Sequence, residues 1–163
     1  MSGMSVIVKT ITRWLKGFIF LFGIYIIMFG HLTPGGGFAG GVILAASYIL
    51  LTLAFGKEVT LKRLSKIVAS ELDSIGALLF LVVALCGMLF TGTFFVNFIQ
   101  QSNPGTPFEF LSSGIIPLCN IAIGIKVGAS LFMIFIILSA VRVVARKNDS
   151  QLEMIDNKGK DEK

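Results

Sequence analysis

The stretch Gly17–Gly56 reads GFIFLFGIYIIMFGHLTPGGGFAGGVILAASYILLTLAFG and holds no Asp, Glu, Lys or Arg. A bilayer core of about 30 Å is crossed by about 20 apolar helical residues, so this stretch is long enough for two crossings. It breaks in its middle at His31-Leu32-Thr33-Pro34-Gly35-Gly36-Gly37. Proline and consecutive glycines end a helix there and let the chain reverse. The first span is placed at about 11–30 and the second at 38–55. Lys16 falls near the start of the first span, where its long stem can carry the ammonium to the interface.

Two more runs follow. Ser74–Gln100 is free of charge, and Ile115–Val141 carries a single charged residue, Lys126. They place spans at about 74–98 and 115–141. The fold class expected is an all-α integral membrane protein with four transmembrane helices. Residues 1–147 form one membrane domain, and 148–163 form a polar cytoplasmic tail.

Composition points the same way. Of 163 residues, 55% are hydrophobic and 14% charged, against about 25% charged in soluble domains. That balance excludes a soluble globular domain, a disordered chain and a disulfide scaffold. Polar side chains from which to build a catalytic site are scarce. The net charge of +5 is better explained by basic residues gathered at one membrane face than by nucleic-acid binding.

The basic residues also orient the chain. Lys9, Arg13 and Lys16 precede or begin the first span; Lys57, Lys62, Arg63 and Lys66 lie between the second and third; Arg142, Arg146, Lys147, Lys158, Lys160 and Lys163 follow the fourth. Loops 31–37 and 101–114 carry no Lys or Arg. By the positive-inside rule both termini and the middle loop are expected in the cytoplasm. The N-terminal segment shows no A-x-A-type cleavage site and runs directly into a second span, so it reads as retained.

Residues 57–73 read as an interfacial amphipathic helix, with Leu61, Leu64, Ile67 and Val68 at helical spacing against Lys62, Arg63 and Lys66. Gly35-Gly36-Gly37-Phe38-Ala39-Gly40 matches G-x-G-x-x-G literally, but a dinucleotide site needs a preceding strand and a βαβ unit. Here a membrane span precedes it. Gly37, Gly41 and Ala45 recur every fourth residue, a small-residue face on which a second helix can pack closely.

Four polar residues stand out as ion- or proton-path candidates, each with a structural alternative. His31, at the outer end of the first span, can exchange a proton near neutral pH or simply close the helix. Glu71 and Asp73 stand at the expected cytoplasmic start of the third span. They can receive a cation or proton, or complement the helix dipole, with Asp73 as the N-cap. Lys126 lies deep within the fourth span, where a charge is expensive and usually faces a partner or a cavity. Gly124 and Gly128 flank it, so a neighbour can come close. No acid is expected at its depth, so its partner is expected on another chain, or to be water. The alternative is a neutral Lys bonded to backbone carbonyls. Cys86 and Cys119 read as small buried hydrophobes. No metal ligand set or cofactor motif is visible.

Two stretches carry a family resemblance. They are Gly30-His31-Leu32-Thr33-Pro34-Gly35-Gly36-Gly37-Phe38-Ala39-Gly40-Gly41 and Ile116-Pro117-Leu118-Cys119-Asn120-Ile121-Ala122-Ile123-Gly124-Ile125-Lys126-Val127. Their patterns, G-H-x-x-P-G-G-G-F-x-G-G and P-x-x-N-x-x-I-G-I-K-V, resemble the MnhB/MrpB family, a subunit of the Mrp-type multisubunit sodium/proton antiporters. The likeness covers about residues 10–146. It implies a non-catalytic subunit in the prokaryotic cell membrane, partnered by other antiporter-module subunits. The module can be free-standing or part of a hydrogenase-type or sulfur-reducing respiratory complex. Redox cofactors, where present, would sit on other subunits. A different class of function is a small self-assembling ion transporter or channel, in which several copies line a path. A membrane enzyme is the weakest reading, since no triad, acid pair or metal cluster is visible.

Overall fold

The computed structural model describes residues 4–32, 34–102 and 112–139, with the backbone alone of 141–145 and 152–156. In chain order these form α1 (Val6–Met28), α2 (Gly36–Phe55), α3 (Lys57–Arg63), α4 (Lys66–Thr91), α5 (Phe98–Ser102), α6 (Ile116–Leu138), β1 (Val141–Ala145) and β2 (Leu152–Asp156). Helices α1, α2, α4 and α6 are each long and apolar enough to cross a membrane.

The helix ends follow local chemistry. Ser5 and Ser65 cap α1 and α4, their side chains accepting the N–H of Val8 and Val68. The turn after α1 is tied by Leu32 N–H to Phe29 C=O at 2.9 Å. Gly35 and Gly36 then take φ of 136° and 64°, a region that side chains disfavour. Pro117 stands in the first turn of α6, where its missing N–H costs little. Gly92 closes α4 in the left-handed conformation.

Packing contacts give the helix directions. Gly23 and Ile27 of α1 meet Gly40 and Leu44 of α2, so these two run antiparallel. Gly37 of α2 lies against Asn120 of α6, Gly41 against Gly124, and Tyr48 against Phe132, so these two run parallel. Gly76 of α4 meets Ala122, Asp73 meets Ser130, and Ala69 packs with Phe132 and Ile136, so α4 is antiparallel to α6. Helix α6 therefore sits between α2 and α4, and α1 covers α2. The largest side chains of the core, Phe132 and Ile136, lie at one end of α6, sealed by Leu61 and Leu64 of the α3 region. The buried hydroxyls of Ser47, Thr52 and Thr60 donate to carbonyls of their own helices, which satisfies them without a partner helix.

Several expected boundaries move. The segment 57–73 is not one interfacial helix: α3 ends at Arg63, the chain breaks at Leu64 and Ser65, and α4 begins at Lys66. The third span thus starts eight residues before position 74, because the Ser65 cap, and not the last charge, sets its start. It ends at Thr91 rather than 98, stopped by Gly92. Helix α6 ends at Leu138, and a ribbon follows in which β1 pairs antiparallel with β2, Val141 opposite Asp156. The helical body, with four helices long and apolar enough to cross a membrane, is the fold expected, and the ribbon takes in part of the segment read as a polar tail.

Candidate functional site

Because Ser65 caps α4, which begins at Lys66, Asp73 is no cap. It lies two turns inside the helix and faces α6. The Lys126 Nζ donates to Asp73 Oδ1 at 2.9 Å, and the Ser130 hydroxyl donates to the same oxygen. Lys126 and Ser130 are one turn apart on α6, so they share a face and hold the carboxylate between them. Oδ2 takes no hydrogen bond from the described residues. The expectation that the partner of Lys126 lies on another chain is therefore corrected: the counter-charge is on the next span of this chain.

Gly76 makes this approach feasible. A Cβ at Gly76 would lie 2.8 Å from the carbonyl oxygen of Ala122 and 2.8 Å from the Lys126 Cβ. Any larger residue would push α4 off α6 and open the ion pair. Lys126 is about 15 Å from the Ile116 end of α6 and about 18 Å from the Leu138 end, so its depth is that expected. Asp73 is about 10 Å from the Lys66 end of α4. The Lys126 ammonium meets Asp73 beside Ser130, so the pair forms nearer the Lys66 end of α4 than the Thr91 end.

The pair is not sealed within the chain. The side chains remain 46% and 35% exposed. They open on the flank of α4 and α6 beside a groove of about 250 Å³ lined by Gly76, Ala77, Phe80, Ala122, Ile123 and the Lys126 stem. Farther along α4 on the Ala77 side, the apolar side chains of Leu81 and Met88 are exposed.

The other singled-out residues separate. Glu71 is exposed and only two positions from Asp73, so it points to a different side of α4. His31 is half-buried in the turn between α1 and α2, at the opposite membrane face from the start of α4. Gly37 and Gly41 are buried against α6, Gly41 meeting the Gly124 carbonyl and Val127. Gly128 stands 3.4 Å from the Gly41 carbonyl, measured from an added Cβ, and Ala45 is 2% exposed.

Two polar residues were not singled out from the sequence. Asn120 Oδ1 accepts the N–H of Gly37 at 3.2 Å, in the first turn of α2. Asn97 ties the segment between α4 and α6: its Oδ1 accepts from Ile115 N–H at 3.1 Å and from Gln100 N–H at 3.2 Å, and its Nδ2 donates to the Ser113 carbonyl at 2.9 Å. Gly114, at φ 65°, leaves room for the Asn97 side chain.

The chain is similar to known proteins. A family profile described as a domain related to the MnhB subunit of Na+/H+ antiporter matches residues 7–133. An uncharacterised protein of Methanocaldococcus jannaschii is 37% identical over 138 residues, 82% of this chain and 52% of that protein. A Staphylococcus aureus (strain Newman) protein named as antiporter subunit mnhB2 is 38% identical over 86 residues, 53% of this chain and 60% of that one. Among solved structures, a chain of the membrane-bound sulfane sulfur reductase, an archaeal respiratory membrane complex, superposes with a TM-score of 0.70 at 32% identity, over 84% of this chain and 59% of that chain. The chain spans about half to three-fifths of the length of these relatives.

Proposed function

The chain belongs to the family of the MnhB subunit of Na+/H+ antiporters, and from that premise we propose that it is a non-catalytic membrane subunit of a multisubunit sodium/proton antiporter module. The module is either a free-standing Mrp-type antiporter or the ion-translocating part of a respiratory hydrogenase or sulfur-reductase complex. The membrane is the prokaryotic cell membrane, with both termini and α3 on the cytoplasmic side, as the placement of Lys and Arg supports.

The observation that carries the reading is the Asp73–Lys126 pair on the open flank of α4 and α6. Acyl chains cannot solvate a half-exposed ion pair, and intramembrane charges face protein or water-filled paths. A neighbouring subunit covering this flank supplies such surroundings. Asp73 Oδ2 can then meet a cation or a proton, which would compete with Lys126 for the carboxylate. His31 and Glu71 lie outside this site and serve the path, if at all, at its ends.

The test is isolation of the tagged full-length chain in mild detergent. Co-purification with larger membrane subunits, and sodium/proton exchange by that assembly in liposomes, is the expected result. A small assembly of this chain alone that moves ions in liposomes would favour the self-assembling transporter instead.

A further inference from the structure

A second polar site lies between α1, α2 and α3, and none of its lining residues belongs to the ion pair. Arg13 and Lys16 on α1 and Arg63 on α3 converge on a cavity of about 340 Å³ whose other walls are Gly17, Phe20, Tyr48, Leu51, Phe55 and Val59. Among the described residues, no carboxylate lines it. Each of its α1 cations rests on an aromatic face: the Lys16 ammonium lies 4.7 Å from the Tyr48 ring centre, and the Arg13 guanidinium 6.0 Å from that of Phe55. Arg63 is close enough to Lys16 for the two charges to act on each other. Three like charges held together with no counter-ion among the described residues repel, and aromatic faces offset only part of that. The arrangement is explained by an anion that occupies the space between them.

The shape says which anion. Lys16 lies three residues beyond Arg13, about 4.5 Å along α1, so the two α1 cations fall within the depth of a lipid headgroup. Leu51 stands level with Lys16 on α2, and beyond Lys16 the wall of α1 turns apolar at Phe20. A charged mouth that continues into an apolar cleft between helices matches a phosphate joined to acyl chains, whereas a soluble anion would use only the mouth. We propose that this cavity binds the headgroup of an anionic phospholipid, its phosphate held by Lys16, Arg13 and Arg63 and an acyl chain laid on Phe20 and Leu51. Basic pockets between transmembrane helices bind anionic headgroups in this way. The proposal rests on the orientation given above only in placing the lipid in the cytoplasmic leaflet.

Lipid retention tests it without any measurement of exchange, so the two readings fail separately. The full-length chain, in the assembly it purifies with, is washed in detergent and incubated with micelles of phosphatidylglycerol or phosphatidylcholine, and bound lipid is weighed by native mass spectrometry. Wild-type protein is expected to retain phosphatidylglycerol over phosphatidylcholine by on the order of tenfold. The preference disappears in the double variant Lys16→Gln, Arg63→Gln and persists in Lys62→Gln, which changes an exposed charge outside the cavity. Should the double variant not accumulate, the single variants Lys16→Gln and Arg13→Gln read the same ratio, and each is expected to lower it. Equal retention of the two lipids, or an unchanged ratio in the cavity variants, overturns the proposal. So does displacement of bound phosphatidylglycerol by millimolar inorganic phosphate, which would mark a soluble-anion site. Carbodiimide coupling of Lys16 to a carboxylate of another subunit would likewise overturn it, by showing that the cations meet protein.

Discussion

Asn120 of α6 accepts the backbone N–H of Gly37 in the first turn of α2. Gly35, the residue before α2, has no side chain with which to cap it, so the acceptor that an N-cap side chain usually supplies comes from another helix. The two stretches that most mark the sequence are thus two sides of one contact. Asn120→Leu should leave that N–H without a partner in an apolar setting, at a cost of about 1–3 kcal/mol. Asn120→Asp keeps the acceptor and should cost less. Thermal unfolding of the detergent-solubilised protein, read by fluorescence-detected size exclusion, checks the order of the two.

The Asp73–Lys126 pair predicts a separation of assembly from transport. Lys126→Met keeps length without charge, and Asp73→Asn keeps shape without charge. Both should leave complex abundance on immunoblots near normal and lower sodium/proton exchange in inverted vesicles by about tenfold or more, equivalent to about 1.4 kcal/mol on the barrier. Lys126→Arg should rescue poorly, since a planar guanidinium does not replace a compact ammonium between Asp73 and Ser130. Native exchange in Lys126→Met across the pH range would make the pair purely structural.

Close helix approach predicts a graded response among glycines. Gly41→Leu must fit against the Gly124 carbonyl and Val127, and overpacking typically costs about 1–3 kcal/mol. Loss of the protein from the membrane complex is the expected outcome. Gly76→Ala should behave similarly but act first on the ion pair, lowering exchange before yield. Gly17→Ala meets no atom within 4 Å and should accumulate normally. Blue-native gels and exchange assays on the three variants give the comparison.

Orientation is read by thiol labelling. In a background with Cys86 and Cys119 changed to Ser, Ser102→Cys should react in whole cells with a membrane-impermeant maleimide. Lys62→Cys should react only after permeabilisation. The reverse pattern would invert the chain and move the lipid site to the outer leaflet.

The four spans were legible because each is a long apolar run with few or no charges, and the His31–Gly37 break was legible because Pro34 and the glycines after it interrupt a helix. Asp73 was misread for the same reason that the spans were found: counting a span from its last charge places that charge at the water edge. The Ser65 cap carries the contrary signal, and it starts α4 early enough to draw Asp73 inside. Once inside, Asp73 precedes Gly76 by three residues, so the acid and the small residue that permits contact share a face. Nothing in the local pattern of Asn120 or Asn97 announces a partner 83 or 18 residues away. Those bonds exist only after tertiary packing brings the helix ends together.

Helices α2 and α6 are parallel neighbours, and this has a consequence for biogenesis. Helix α1 pairs antiparallel with α2, and α4 with α6, so each pair is a hairpin of consecutive spans that can insert as it leaves the translocation machinery. A parallel pair cannot form that way; α2 must wait in the bilayer until α6 has been synthesised. The last step is then lateral docking of two preformed halves, along a seam of Gly37, Gly41, Gly124, Gly128 and Asn120, where close backbone approach replaces a hydrophobic driving force that lipid does not provide. A gene split between the codons for Gly56 and Lys57 should therefore yield two fragments that find each other when co-expressed, and substitutions along the seam should abolish their reunion while leaving each half inserted.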